Sequence, residues 1–143
     1  MSKHDTFEND LLKLIFQATA IGNIADNASG SPAATLYVAL HTADPGEAND
    51  QTASEIAYNT YARVGVSRNA AGFTVTGNNC VNAANITFAT CNSGSGTASH
   101  FSVGMNSAGA SKILYSGALT ANLAISAGIT PAFNGGNLTI SED

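Results

Sequence analysis

From residue 5 to about residue 25, apolar side chains recur at helical spacing. Phe7, Leu11, Leu14, Ile15, Ala18 and Ile21 fall on one face, and Leu12 and Phe16 widen it. Asp5 followed by Glu8 has the form of a capping box, and Asp5, Glu8 and Asp10 sit where the positive end of a helix dipole favours acids. The pattern predicts one amphipathic helix, ending at Gly22-Asn23 or running on to Asn27. Two roles are open to it: covering one end of the remaining chain, or docking on a partner subunit. The segment Asn27-Ala28-Ser29-Gly30-Ser31-Pro32 reads as a linker.

Beyond the linker the period changes from helical to alternating. Residues 35–42 predict a strand with Tyr37 and Ala39 on one face and Leu36, Val38 and Leu40 on the other. Asp44-Pro45-Gly46 predicts a sharp turn, with Pro45 fixing its own φ and Gly46 free to take a positive one. Residues 44–59 are polar and form a loop too long for a bare hairpin, which makes it an expected contact element. Further strands are predicted at residues 61–67, 73–76, 80–83, 86–89, 99–105, 111–117 and 138–140. In residues 61–67 the alternation puts Ala62, Val64 and Val66 on one face and Arg63 on the other. Leu119, Leu123 and Ile125 suggest a broken strand, and Pro131 marks an edge or irregular one. Short strands between closely spaced Gly/Asn turns predict a mainly β fold, an antiparallel β-sandwich or jelly roll with an N-terminal α-helical arm. The expected division is helix and linker over residues 1–32 and a β-sandwich domain over residues 33–143.

Composition sharpens this picture. Charged residues make up only 10% of the 143, against about 25% in ordinary globular proteins. Surfaces of small, uncharged residues dock on other subunits without desolvating many charges, so a homo-oligomer or an array is expected. A net charge of -5 with five basic residues argues against nucleic-acid binding through phosphate neutralisation. No apolar run approaches the roughly 20 residues needed to span a bilayer, and the first residues do not read as a signal peptide.

Candidate chemistry is sparse. The histidines are His4, His41 and His100. His41, His100 and Asp44 would make a metal site if they met in space; satisfied or solvent-facing histidines are the preferred reading. Asp44, Glu47 and Asp50 supply oxygens, but not in the order of a calcium-binding loop. Cys80 and Cys91, eleven positions apart, match no zinc module. Two separate buried thiols are expected, with a cross-hairpin disulfide as the alternative. Nothing local activates Cys91 toward His100. The sequons at Asn27, Asn85 and Asn137 are what an Asn/Ser/Thr-rich chain produces by chance. No phosphate loop, HExxH or nucleophile elbow occurs. The chain is therefore expected to have no catalytic, metal-binding or cofactor-binding residues and to be no enzyme. Tyr58, Tyr61, Phe73 and Tyr115 would make a sugar platform if exposed together; burial in a core or interface is the preferred reading.

Several segments together resemble a family. Leu36-Tyr37-Val38-Ala39-Leu40-His41-Thr42-Ala43-Asp44-Pro45-Gly46, Glu55-Ile56-Ala57-Tyr58 and Tyr61-Ala62-Arg63-Val64 carry the resemblance in the first half. Asn82-Ala83-Ala84-Asn85-Ile86-Thr87-Phe88, Ala98-Ser99-His100-Phe101-Ser102-Val103-Gly104, Leu114-Tyr115-Ser116-Gly117-Ala118-Leu119 and Leu138-Thr139-Ile140 continue it. The chain is similar here to small bacteriophage virion proteins usually labelled tail fibre proteins, although Ala89 stands where that pattern has a proline. The resemblance implies a structural protein of the virion, β-rich and without catalytic residues. Being compact and without a shaft repeat, the chain is expected to be a capsid decoration or cement protein on the head. The alternative is a small tail fibre or collar subunit that binds a host-surface glycan. The expected partners are the major capsid protein or collar and tail proteins, and further copies of the chain.

Overall fold

The computed structural model describes residues 5–21 and 33–142, with side chains from residue 8 onward. The linker and the capping box fall outside these residues and side chains. The chain is mostly β, with antiparallel pairing and one N-terminal helix. The elements are α1 (Asp5–Gln17), β1 (Thr35–His41), β2 (Val64–Ser67), β3 (Phe73–Thr76), β4 (Asn79–Asn82), β5 (Ile86–Thr87), β6 (Gly96–Gly104), β7 (Ile113–Ile125), β8 (Ala132–Phe133) and β9 (Thr139–Ser141). They form a four-stranded sheet β2-β1-β6-β7, a three-stranded sheet β3-β4-β9 and the pair β5-β8. Two compact units result. One holds residues up to Thr35 together with Ser67–Ile86 and Phe133–Asp143; the other holds Leu36–Val66 and Thr87–Ala132.

In the first unit, α1 is shorter than its apolar period predicts. It ends at Gln17 because Ala18 takes a φ of 55°, and the Thr19 N–H then turns back to the Lys13 carbonyl. The last turn of α1 carries no basic residue. Arg68, just past β2, does that work from outside by donating to the Leu14, Ile15 and Ala33 carbonyls. A guanidinium on the last carbonyls satisfies orphan acceptors and complements the negative end of the dipole. The buried helix face is centred on Glu8, Leu12 and Phe16, not on Leu11 and Leu14. Phe16 sets this orientation by packing on Phe73, ring centroids 4.6 Å apart. Gln17 Nε2 donates to the Phe73 carbonyl and Asn9 Nδ2 to that of Gly77. The helix is thus a wall of its own unit. Cys80, Leu138 and Ile140 complete that core. Asn82, 1% exposed, donates to the Ala84 and Asn134 carbonyls and accepts from the Leu138 N–H. One buried amide thereby fixes the turn that leads into β9.

In the second unit, β1 and β6 are the central strands and are buried at consecutive positions. Their register pairs Tyr37 with Gly104, Val38 with Val103, Ala39 with Ser102, Leu40 with Phe101 and His41 with His100. Directly opposed residues share a face. One face is therefore apolar: Val38, Leu40, Phe101 and Val103. The other carries Tyr37, Ala39, His41, His100, Ser102 and Gly104. β7 runs unbroken as a strand where two were expected, but its pairing is interrupted. Ala98 pairs with Leu123 and His100 with Ala118, so Leu119–Asn122 stand opposite Ser99 without partners in the register. Gly117 lies opposite Phe101, whose ring covers it; a Cβ there would come within 3.1 Å of that ring.

Candidate functional site: a buried polar clasp beneath the loop 42–63

The second face of the β1–β6 pair is sealed by Gln51, which enters from the long loop after β1. Small opposing residues make the room. A Cβ on Gly104 would lie 2.2 Å from Gln51 Oε1 and 2.8 Å from the Lys112 carbonyl. Gln51 Nε2 donates to the Tyr37 carbonyl at 3.0 Å and to Ser102 Oγ at 3.1 Å. Its Oε1 is the buried side-chain atom without a hydrogen-bond partner among the described residues.

His41 continues the chain of contacts. Nδ1 lies 2.8 Å from the Ala53 carbonyl, and Nε2 lies 2.7 Å from Ser102 Oγ. A carbonyl only accepts, so Nδ1 carries the proton and Nε2 accepts from the Ser102 hydroxyl. Ser102 then donates to His41 and accepts from Gln51, which leaves a single consistent direction for the whole row. Burial pushes the His41 pKa below its usual value, against the smaller opposing influences of the Ala53 carbonyl and Glu55. The Ser102–His41 contact has the spacing of a nucleophile and its base. Both residues have 0% exposure, so no substrate reaches them; the pair holds the loop to the sheet.

A second set of contacts fastens the loop's far end. Arg63 donates to both oxygens of Glu55 at 2.8 Å, and to the Asn106 and Gly109 carbonyls at 3.1 and 2.8 Å. The hydrogen bond to Glu55 is the main reason the Arg63 pKa is raised. Tyr61 donates to Glu55 Oε1 and accepts from the Leu40 N–H, both at 3.0 Å; burial drives its pKa strongly upward. The alternation expected for residues 61–67 holds over Val64–Ser67, where Val64 and Val66 are half-buried and Gly65 and Ser67 exposed, but fails before it: Arg63 is buried and Ala62 exposed. The loop between β6 and β7, residues 105–110, is exposed throughout. It is nonetheless fixed, by Arg63 and by Ser111 Oγ, which accepts from the Met105 and Asn106 N–H groups.

The other sequence candidates separate. His41 has both ring nitrogens engaged, and His100 Nδ1 contacts Ser99 Oγ at 2.9 Å. Asp44 accepts from the Gly46 N–H, and Asp50 from Thr52. Among the described residues no group of three or more His, Cys, Asp or Glu is placed to hold a metal. Cys80 and Cys91 are free and buried, and burial pushes the Cys80 thiol up to about 12. Tyr58 and Phe73 are buried, Tyr58 with its hydroxyl on the Ala89 carbonyl, so the four aromatics do not form an exposed platform. His4 and Asn27 lie outside the described residues. No helix among the described residues is long and apolar enough to cross a membrane.

Sequence reasoning missed the clasp because its members are far apart in the chain and of ordinary types. The available signal was the run of small and polar residues on one face, with Ser102 opposite Ala39, Gly104 opposite Tyr37 and His100 opposite His41.

The family model described as podophage GP4 fiber I protein gp80 matches residues 2–141. The chain belongs to that family and is a phage structural protein. No curated protein matches it.

Proposed function

We propose that the chain is a fibre subunit of a podophage virion and that its activity is contact with other virion proteins. The observation that carries this is the family match across residues 2–141, whose description names a fibre. The structure supports a contact role in two ways. The loops around the clasp are pre-ordered, which lowers the entropy lost on docking. The surface is also poor in charge, which lowers the desolvation cost. The both-sided burial of β1 and β6 suits a layered, sandwich-like body. Attachment to the head as a decoration protein is the competing location. Labelling the chain in purified particles and measuring its copy number tests the proposal. Few copies, confined to fibres, are expected; many copies spread over the shell would overturn it in favour of decoration.

A further inference from the structure

We propose that Asn134 is a site of spontaneous deamidation, which the folded chain holds closed through Asn85. Asn134-Gly135 is the one Asn-Gly pair in the sequence, and both residues are exposed in the turn between β8 and β9. A glycine after asparagine puts no side chain beside its own backbone nitrogen, so that nitrogen reaches the carboxamide more readily than in other pairs. The fold favours glycine here for another reason. A Cβ on Gly135 would come within 3.2 Å of the Ala83 carbonyl oxygen, and close approach of backbone is a use of glycine. Packing thus brings a reactive pair to the surface.

The reaction needs only base and water. The Gly135 amide gives up its proton, and its nitrogen bonds to Cγ of Asn134. The carboxamide C–N bond breaks, and ammonia leaves with the equivalent of that proton. Water then opens the succinimide at either carbonyl, leaving an aspartyl or isoaspartyl residue at position 134. The first step requires a free N–H, as base-catalysed hydrogen exchange does. The Gly135 N–H instead donates to Asn85 Oδ1 at 2.9 Å. Deprotonation would set a bare anionic nitrogen against that oxygen. The other end of the same peptide plane is held too. The Asn134 carbonyl accepts from Asn82 Nδ2 at 2.9 Å and from the Asn137 N–H at 3.0 Å. The device recurs in the second unit, where the Ser93 N–H, following Asn92, donates to Asn59 Oδ1 at 2.9 Å. An isoaspartyl link would lengthen the main chain by one carbon and displace the carbonyl that Asn82 holds, loosening the turn into β9. A structural protein of a phage is not replaced after assembly, so such conversion accumulates.

The test ages the full chain at mildly alkaline pH and follows residue 134 by peptide mass spectrometry that separates aspartyl from isoaspartyl forms. Conversion is expected to be slow in the folded parent and fast in urea. Asn85→Ala, shown to be folded by circular dichroism, should convert Asn134 about fivefold faster, the weight of one net hydrogen bond. Its Gly135 amide should exchange hydrogen faster to match. Asn85→Asp keeps an acceptor oxygen and should convert no faster than the parent. Asn106-Ser107, exposed and in the other unit, is the reference in each digest and should not change among folded variants. A folded parent that converts Asn134 as fast as the unfolded chain overturns the inference, whether or not any variant folds. So does an Asn85→Ala chain at the parent rate, or one in which Asn106 speeds up in step with Asn134. An unfolded chain that converts Asn134 no faster than Asn106 overturns it as well.

Discussion

At the scale of single residues, the clasp makes two sharp demands. His41 is held neutral when folded, with its pKa depressed chiefly by burial, whereas in the unfolded chain it titrates near 6.5. The unfolded state therefore binds the extra proton first, and stability present above about pH 6.5 is lost as pH falls toward the folded pKa. The slope from one such group reaches at most about 1.4 kcal/mol per pH unit. Glu55 raises this pKa while Arg63 and His100 lower it, so the window belongs to the cluster. Urea unfolding between pH 5 and 8 should show the loss in the parent chain and a flatter profile in His41→Gln. Gly104 makes the second demand. Gly104→Ala drives a methyl into Gln51 and the Lys112 carbonyl, and relief requires moving backbone. Denaturation should show a loss of about 1–3 kcal/mol, while Gly109→Ala, in open space but at positive φ, should cost less.

At the scale of elements, sequence pattern located most strands and misplaced their interruptions. Alternation identified β1 and β6 because central strands pack apolar residues on at least one face. It failed at Arg63, whose burial depends on Glu55 and two loop carbonyls that no local period encodes. It overextended α1, because the apolar period continues past Gln17 while the backbone turns at Ala18. It split β7 at the four residues that bulge away from β6, a feature set by the partner strand. His41, Glu55, Arg63, Ser102 and Gly104 lie in segments that carry the phage-virion resemblance, whereas Gln51, which seals the clasp, lies in none of them. The helix end yields a prediction at this scale. Arg68→Met leaves the last carbonyls of α1 without their guanidinium and should destabilise the chain by about 1–3 kcal/mol. Ala18→Gly, which removes the penalty for a left-handed non-glycine residue, should stabilise it by roughly 1 kcal/mol. Thermal unfolding followed by helix ellipticity checks both.

At the scale of the whole molecule, the chain invests its polar groups in rigidity and is poor in charge, with charged residues at 10%. Assembly of such a chain should respond weakly to salt, since few ion pairs are there to be screened. Incorporation into particles measured from low to high ionic strength should stay within about twofold on that ground.

One feature of the first unit bears on how the protein is made. Its parts are three stretches of chain separated by the whole of the second unit. Helix α1 leaves the ribosome early, but Phe73, on which Phe16 packs, follows 57 residues later, and Leu138 and Ile140 come later still. Through most of translation Leu12 and Phe16 therefore lack the neighbours that cover them. Such a nascent chain is a natural client for holding chaperones, and the unit closes only after residue 141 has been added. Ribosome-bound chains arrested at residue 132 should be cut by protease within α1, and chains released at full length should resist.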